Sequence, residues 1–155
     1  MSGGFRRLDE DVLHSGYIFD LVRARFEAPD GEVFSRDIVR HPGAVSVVPV
    51  DADGRIVMVW QYRPALDAFL LEIPAGKRDV ADEPPAETAQ DELQWIYLGR
   101  ALVEVPRDVQ GIEESHMEIE RLTFAEARAR ILDGRLTDMK SIIGILLAAS
   151  MVDGR

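Results

Sequence analysis

Acidic side chains near the middle of the chain have a spacing that suits a site for a hard divalent cation. Gly76 precedes Glu83, and seven residues then separate Glu83 from the adjacent pair Asp91 and Glu92. Carboxylates one turn apart on a helix project from the same face. They can hold Mg²⁺ and leave room for water and phosphate oxygens. A metal bound in this way polarises a phosphorus centre and helps to generate hydroxide, so a set of carboxylates on one helix face would be compatible with phosphate-ester hydrolysis.

The acidic pattern stops one turn after Glu92, where Trp95 and Ile96 follow. Isoleucine cannot bind a metal ion, so a helix that continued through residue 96 would have no carboxylate one turn after Glu92. From Trp95 onwards the residues have the character of a β-strand rather than a helix. The sequence therefore predicts that any metal-binding helix ends before Trp95.

The elements that would position these side chains are strands first and helices last. Apolar runs flank Asp30-Gly31, and others flank residues 51–54, so the pattern predicts two β-hairpins. Thr123 with Glu126 three residues later is a capping box, and Gly134 suits the end of that helix. The predicted strands are 17–27, 33–40, 44–50, 55–61, 69–73, 95–98 and 117–122, and the predicted helices begin near residues 84, 123 and 138. This order suits an α+β or sandwich architecture.

The composition argues against several classes of partner and chemistry. The 155 residues suit one domain, and 46% hydrophobic with 30% charged residues is an ordinary globular mixture. The net charge of −10 argues against a nucleic-acid backbone or an anionic membrane as the main partner. The absence of cysteine excludes disulfides and thiolate chemistry. Without a signal-peptide core or a long apolar run, the chain is expected to be cytoplasmic.

Longer patterns resemble the Nudix hydrolases, in the branch of the ADP-ribose pyrophosphatases. Residues 61–63, Gln-Tyr-Arg, followed by residues 72–76, Glu-Ile-Pro-Ala-Gly, are similar to a signature of that branch. Gly76 and Glu83 resemble the opening of the Nudix box, with one extra residue in the spacer. The resemblance implies one domain over residues 1–155 with a Nudix-type α/β/α sandwich and a mixed sheet. It also implies N-terminal antiparallel strands, within residues 1–40, that form a homodimer.

The resemblance implies a role for individual residues as well. A carboxylate on a loop can activate the attacking water once the substrate closes the site. In this acidic chain a solvated surface charge is the alternative for such a residue. The implied general base is Glu114, the implied substrate-binding residues are Arg36, Arg63, Glu72 and Phe19, and the implied ligands of Mg²⁺, or of Mn²⁺ in its place, are the Ala75 carbonyl and Glu92.

Two alignments of residues 91–98 with the family are open. In one, Asp91 and Glu92 continue the box, and Asp91 replaces its arginine. In the other, which we favour, residues 91–98 match a later strand of the family, and about 25 residues at average element lengths are missing between 90 and 91. Glu92 is then a loop or strand-edge residue. Uninterrupted numbering favours a true deletion, whereas the core that a deletion would expose favours omission of the segment from the sequence.

The function implied by the resemblance is Mg²⁺-dependent hydrolysis of ADP-ribose to AMP and ribose 5-phosphate. The main alternative from another class is a Nudix-fold module that binds a nucleotide without hydrolysing it. A second alternative is a pyrophosphatase for another nucleoside diphosphate sugar, and a third is a truncated remnant. None of these alternatives involves a nucleic acid or a membrane.

Overall fold

The computed structural model describes residues 4–77, 94–106, 108–109 and 111–153. They form two compact units. The first includes residues 4–44, and the second includes residues 45–76 and the described residues from Trp95 onwards. The predicted helix near residue 84 and the candidate ligand Glu92 lie outside the described residues. None of the described helices is long and apolar enough to cross a membrane.

The first unit contains a three-stranded antiparallel sheet. Its strands are β1 (Arg6–Ser15), β2 (Asp20–Glu27) and β3 (Val33–Arg40), in the order β1-β2-β3. The predicted hairpin between β2 and β3 is confirmed, and Gly31 in its turn has φ +87°, a conformation that favours glycine. The sequence did not predict β1, most of whose residues are exposed.

The strands of the second unit belong to two three-stranded sheets. The first has the order β7-β4-β8 and the second the order β6-β5-β9. Strand β5 pairs antiparallel with both of its neighbours in the second sheet. The strand bounds are β4 (Ala44–Pro49), β5 (Ile56–Arg63), β6 (Ala68–Glu72), β7 (Ala75–Lys77), β8 (Gln94–Gly99) and β9 (Glu118–Leu122).

The predicted hairpin between β4 and β5 is wrong. Only one antiparallel bridge, Val50 to Ile56, joins the two segments around the turn at residues 51–54. Beyond this bridge the two strands join different sheets. Val48 and Met58 are both buried in the core of the second unit. Each strand therefore gains its hydrogen bonds from other neighbours, and the local turn signal did not determine the pairing.

Three helices complete the second unit: α1 (Ile112–Ser115), α2 (Phe124–Leu132) and α3 (Met139–Asp153). The capping box at α2 is confirmed, because the Thr123 hydroxyl accepts from the Glu126 backbone N–H while the Glu126 carboxylate accepts from the Thr123 backbone N–H. Gly134 follows this helix with φ +78°, as predicted for its C-terminal end. Helix α1 lies in a segment predicted as a loop.

The core of the second unit lies where helices α2 and α3 pack on the strands. It includes Ile56, Met58 and Ile73, each with 0% of its surface exposed. Helix α3 approaches the strands closely at Gly144. A Cβ atom there would lie 2.9 Å from Val48 Cγ2 and 3.0 Å from Ile96 Cγ2. Glycine at this position thus allows the last helix to approach strands β4 and β8.

Candidate functional site

The β5–β6 hairpin places Arg63 and Glu72 on the same face of their sheet. In the antiparallel register Arg63 is opposite Ala68, and Val59 is opposite Glu72. Since side chains alternate between faces, residues 59 and 63 share a face with residues 68 and 72. The Arg63 Nε donates to Glu72 Oε1 at 2.7 Å, and Arg63 Nη2 donates to Glu72 Oε2 at 2.6 Å. The two side chains therefore form a bidentate ion pair.

The two partners of this ion pair differ in burial. The Glu72 side chain is 1% exposed, whereas the Arg63 side chain is 38% exposed and reaches solvent. The hydrogen bond to Glu72 raises the pKa of Arg63 above its usual value, against the opposing effect of desolvation. Arg63 therefore keeps its positive charge, and its planar guanidinium is suited to phosphate oxygens.

Glu72 has a second cationic partner that the sequence did not predict. Lys140, in the first turn of α3, donates from Nζ to Glu72 Oε2 and, at 2.8 Å, to Asp138 Oδ1. The buried carboxylate thus lies between two cations from different elements. One sequence signal pointed to this residue. Lys140 is one of only two lysines in the chain, and it stands at a helix start, where a cation is unfavourable.

Ala75 begins β7 three residues after Glu72, and it is exposed. The preceding residue is fixed to the neighbouring strand, because the Val47 N–H donates to the Pro74 carbonyl at 3.0 Å. The carbonyl predicted as a metal ligand therefore belongs to a segment whose backbone is held by β4.

Glu114 lies on α1, which contacts β5, the strand that carries Arg63. The short helix is held by backbone hydrogen bonds, among them Glu114 N–H to the Gly111 carbonyl at 3.2 Å. Glu114 is half-buried and its neighbour Glu113 is exposed. The candidate base and the candidate phosphate-binding arginine are thus carried by two elements in contact.

The ligand set for a metal ion is incomplete within the described residues. No group of three or more His, Asp or Glu side chains in the described part of the chain is arranged to hold a metal. The oxygens of Glu72 already accept from two cations, Arg63 and Lys140. Of the two predicted ligands, Ala75 is described and Glu92 is not.

Arg36 and Phe19 belong to the first unit. The Arg36 guanidinium lies 4.7 Å from the centroid of the Phe34 ring, a cation–π contact, and its Nη1 donates to the Ser35 carbonyl at 2.8 Å. Phe19 is partly exposed, and Tyr17 close to it is 94% exposed. Both aromatic side chains thus have surface that a ligand could contact.

Residues Trp95 and Ile96 lie on strand β8, and Ile96 packs against the core. This strand confirms the prediction that any helix of the acidic segment ends before Trp95. It agrees with the alignment that matches this region to a later strand of the Nudix fold.

Comparison with known proteins gives several related sequences. No protein-family model matches the chain. An ADP-ribose pyrophosphatase of Mycobacterium tuberculosis is 34% identical over 177 residues, covering 97% of this chain and 86% of the relative. An ADP-ribose pyrophosphatase of Bacillus subtilis is 40% identical over 101 residues, covering 64% of this chain and 55% of the relative.

Solved structures give the fold. The crystal structure of an ADP compounds hydrolase superposes with a TM-score of 0.74 at 13% identity, covering 97% of this chain and 95% of the other. The expected Nudix-type fold is therefore confirmed. The matched region of the Mycobacterium tuberculosis protein spans 177 residues, whereas this chain has 155. That relative thus contains at least 22 residues (177 minus 155) without a counterpart here.

Proposed function

We propose that this chain, which belongs to the Nudix hydrolase family in the branch of the ADP-ribose pyrophosphatases, hydrolyses the diphosphate of ADP-ribose to AMP and ribose 5-phosphate. The observation that carries the proposal is the bidentate pair of Arg63 with the buried Glu72, within the signature at residues 61–76. Two relatives, 34% and 40% identical to this chain over the matched residues, are named ADP-ribose pyrophosphatases, which supports the proposal.

Arg63 is the residue that we assign to the diphosphate. Two of its N–H groups bind Glu72, and the remaining guanidinium N–H groups have no other hydrogen-bond partner among the described residues. A planar guanidinium with free donors binds phosphate oxygens with defined geometry. We assign Glu72 to the orientation of Arg63 rather than to direct substrate contact, because its carboxylate is buried and already bound by cations.

Glu114 is the residue that we assign as the general base. Its carboxylate would take a proton from a water molecule while the water oxygen forms a bond to one phosphorus. The bond from that phosphorus to the bridging oxygen breaks, and the bridging oxygen leaves with the other phosphate. We further assign Arg36 to the substrate and Phe19, with Tyr17, to the adenine ring.

A divalent cation, Mg²⁺ or Mn²⁺, held by the Ala75 carbonyl and Glu92 would add polarisation of the phosphorus centre. Glu92 has this role if Asp91 and Glu92 continue the box. If a segment is missing between residues 90 and 91, Glu92 is a loop or strand-edge residue instead. The 22 or more additional residues of the Mycobacterium tuberculosis relative support a missing segment of the size expected from the sequence.

The intact mass of the purified protein tests directly whether such a segment is missing from the sequence. A mass above that of 155 residues places the rest of the box in the protein, and a mass equal to it shows a true deletion.

The proposed reaction is tested by AMP release from ADP-ribose in the presence of Mg²⁺. We expect Glu114→Gln to lower kcat at least about 100-fold with little change in KM, as is usual for loss of a general base. The matched control is Glu113→Gln, which removes the same charge from an exposed neighbour on α1 and should keep wild-type activity. Full activity of Glu114→Gln would show that another group is the base.

A second candidate is nucleotide binding without hydrolysis. The alignment in which Asp91 and Glu92 continue the box favours it, because Trp95 and Ile96 then occupy the positions of the next box carboxylates. Calorimetric binding of ADP-ribose together with no AMP release would establish this candidate and refute the proposed reaction. Faster turnover of another nucleoside diphosphate sugar in a competition assay would instead move the substrate assignment to that sugar. A homodimer and a cytoplasmic location are part of the same proposal.

A further inference from the structure

A chain of polar contacts connects the Arg63–Glu72 pair to the start of the last helix. Lys140 Nζ donates to Glu72 and, at 2.8 Å, to Asp138 Oδ1. The other oxygen of Asp138 accepts from the Ser141 backbone N–H at 3.0 Å and from the Ser141 hydroxyl. Asp138 therefore caps α3 and holds Lys140 at the same time.

The same helix start is tied to β6 by a second contact. The Ser141 hydroxyl oxygen accepts from the backbone N–H of Ile73 at 2.8 Å, and Ser141 is 0% exposed. Glu72, the last residue of β6, and Ile73, which follows it, are therefore both bound by the first turn of α3, one through its carboxylate and one through its backbone. These contacts join parts of the chain that are 68 residues apart in sequence.

Stability alone does not account for a lysine at this position. The Lys140 side chain is 13% exposed, and removing an ammonium from water is costly. The amino-terminal turn of a helix also disfavours a positive charge. An apolar pair of similar volume commonly gives equal or greater stability than such a buried ion pair. The contact with the Glu72 carboxylate therefore explains the buried ammonium better than a gain in stability does.

We propose that Lys140 is a positioning residue that fixes Glu72 and, through it, the orientation of Arg63 toward the diphosphate. The inference rests on the proposed function, because it assumes that Arg63 binds phosphate. Glu72 Oε2 accepts from both Lys140 Nζ and Arg63 Nη2, and Oε1 accepts from Arg63 Nε. A carboxylate held on one side by Lys140 fixes the plane of the guanidinium on its other side.

The test compares Lys140→Met with Arg128→Met in the hydrolysis of ADP-ribose. Arg128 is an exposed cation on α2 in the same unit, so both variants lose one positive charge. We expect Lys140→Met to raise KM about tenfold with kcat within about twofold, since a charged hydrogen bond that orients a binding group is lost. Arg128→Met should leave both constants unchanged.

Two further variants keep the test informative if Lys140→Met folds poorly. Lys140→Arg keeps the cation and should restore most of the wild-type KM. Asp138→Asn keeps an acceptor that can cap the helix but removes the charge that holds Lys140, so KM should rise in the same direction by a smaller factor. An unchanged KM in folded Lys140→Met, or in Asp138→Asn if the former does not fold, overturns the inference.

The proposed function and the positioning role fail in different ways. Wild-type protein that releases no AMP refutes hydrolysis, and the dissociation constant of ADP-ribose, measured by calorimetry, then tests Lys140. A dissociation constant about tenfold higher for Lys140→Met than for wild type and Arg128→Met supports positioning of Arg63 in a binding module. Equal dissociation constants, or wild-type protein that does not bind ADP-ribose, overturn the inference.

Discussion

Both units contain arginine–carboxylate pairs, and the pairs differ in burial. In the first unit, Arg23 and Asp37 form a bidentate pair across β2 and β3 at 2.7 and 2.9 Å, with side chains about half exposed. In the second unit, Arg63 and Glu72 form a pair of the same geometry, with Glu72 1% exposed. The two pairs therefore share the same hydrogen-bond geometry but differ in their exposure to solvent.

Burial decides what each pair contributes. An exposed pair gains little, because water solvates both partners nearly as well as they solvate each other. Removing one partner of a buried pair leaves the other charge without compensation in a poorly solvated site. Glu72 also has Lys140 as a partner, whereas Asp37 has only Arg23 among its hydrogen-bond partners in the described residues. The difference agrees with a role of the exposed pair in joining two strands and of the buried pair in holding the arginine that we propose to bind the diphosphate.

The largest expected effect is that of Glu72→Gln. Loss of the carboxylate charge leaves Arg63 and Lys140 close together without their shared anion, so the free energy of unfolding should fall by about 3 kcal/mol. Urea denaturation measures this change, and kcat/KM for ADP-ribose should fall with it. Asp37→Asn is the matched control and should leave the midpoint of unfolding nearly unchanged. Equal effects of the two substitutions would refute the distinction between the pairs.

Two glycines test whether the units unfold together. Gly31 in the first unit has φ +87° and Gly134 in the second has φ +78°, and an added Cβ would meet nothing within 4 Å at either position. Alanine at each site should therefore cost only the backbone strain, about 1 to 2 kcal/mol. If residues 1–155 form one cooperative domain, as the sequence predicts, both substitutions lower the midpoint of one shared thermal transition. Separate transitions, each sensitive to one substitution, would contradict that prediction.

The smallest expected effect concerns a partly buried pair of the second unit. Glu120 accepts from both Arg130 and Trp60, and the hydrogen bond from Arg130 is the main reason that the pKa of Glu120 is lowered below its usual value of 4.5. A carboxyl group with a lowered folded-state pKa stabilises the protein above its unfolded pKa. That stability is lost as the pH falls through the folded-state pKa.

Glu120→Gln should accordingly reduce stability near pH 6 by about half a kcal/mol and flatten its decline below pH 4.5. Urea denaturation at several pH values from 6 downwards measures both changes. The double variant with Arg130→Met shows whether the pair is responsible, because the two substitutions should be non-additive. An equally steep decline below pH 4.5 in Glu120→Gln would show that other carboxyl groups account for the acid sensitivity.

Features encoded by neighbouring residues were predicted correctly from the sequence. Strand β3 has the predicted bounds, the capping box of Thr123 and Glu126 formed, and Gly134 ends its helix. The strand from Trp95 was also expected. Each depends on residues a few positions apart, for which side-chain periodicity and backbone preferences are sufficient.

Strand pairing was predicted less well. The turn at residues 51–54 suggested a hairpin, but β4 and β5 joined different sheets after a single bridge. Strand β1 was missed because most of its residues are exposed and polar, so the hydrophobic pattern was weak. Which strands pair depends on the whole set of competing partners, and that set is not a property of the local sequence.

The sequence by itself determined the family, the Gln-Tyr-Arg and Glu-Ile-Pro-Ala-Gly segments, and the short-range elements that carry them. Only the tertiary structure showed that Glu72 is buried against Arg63 and that Lys140 and Ser141 hold residues 72 and 73. Those partners are 68 residues away in sequence and meet only when α3 packs on the strands. Burial and long-range ion pairs are consequences of packing, so no local pattern of residues can specify them.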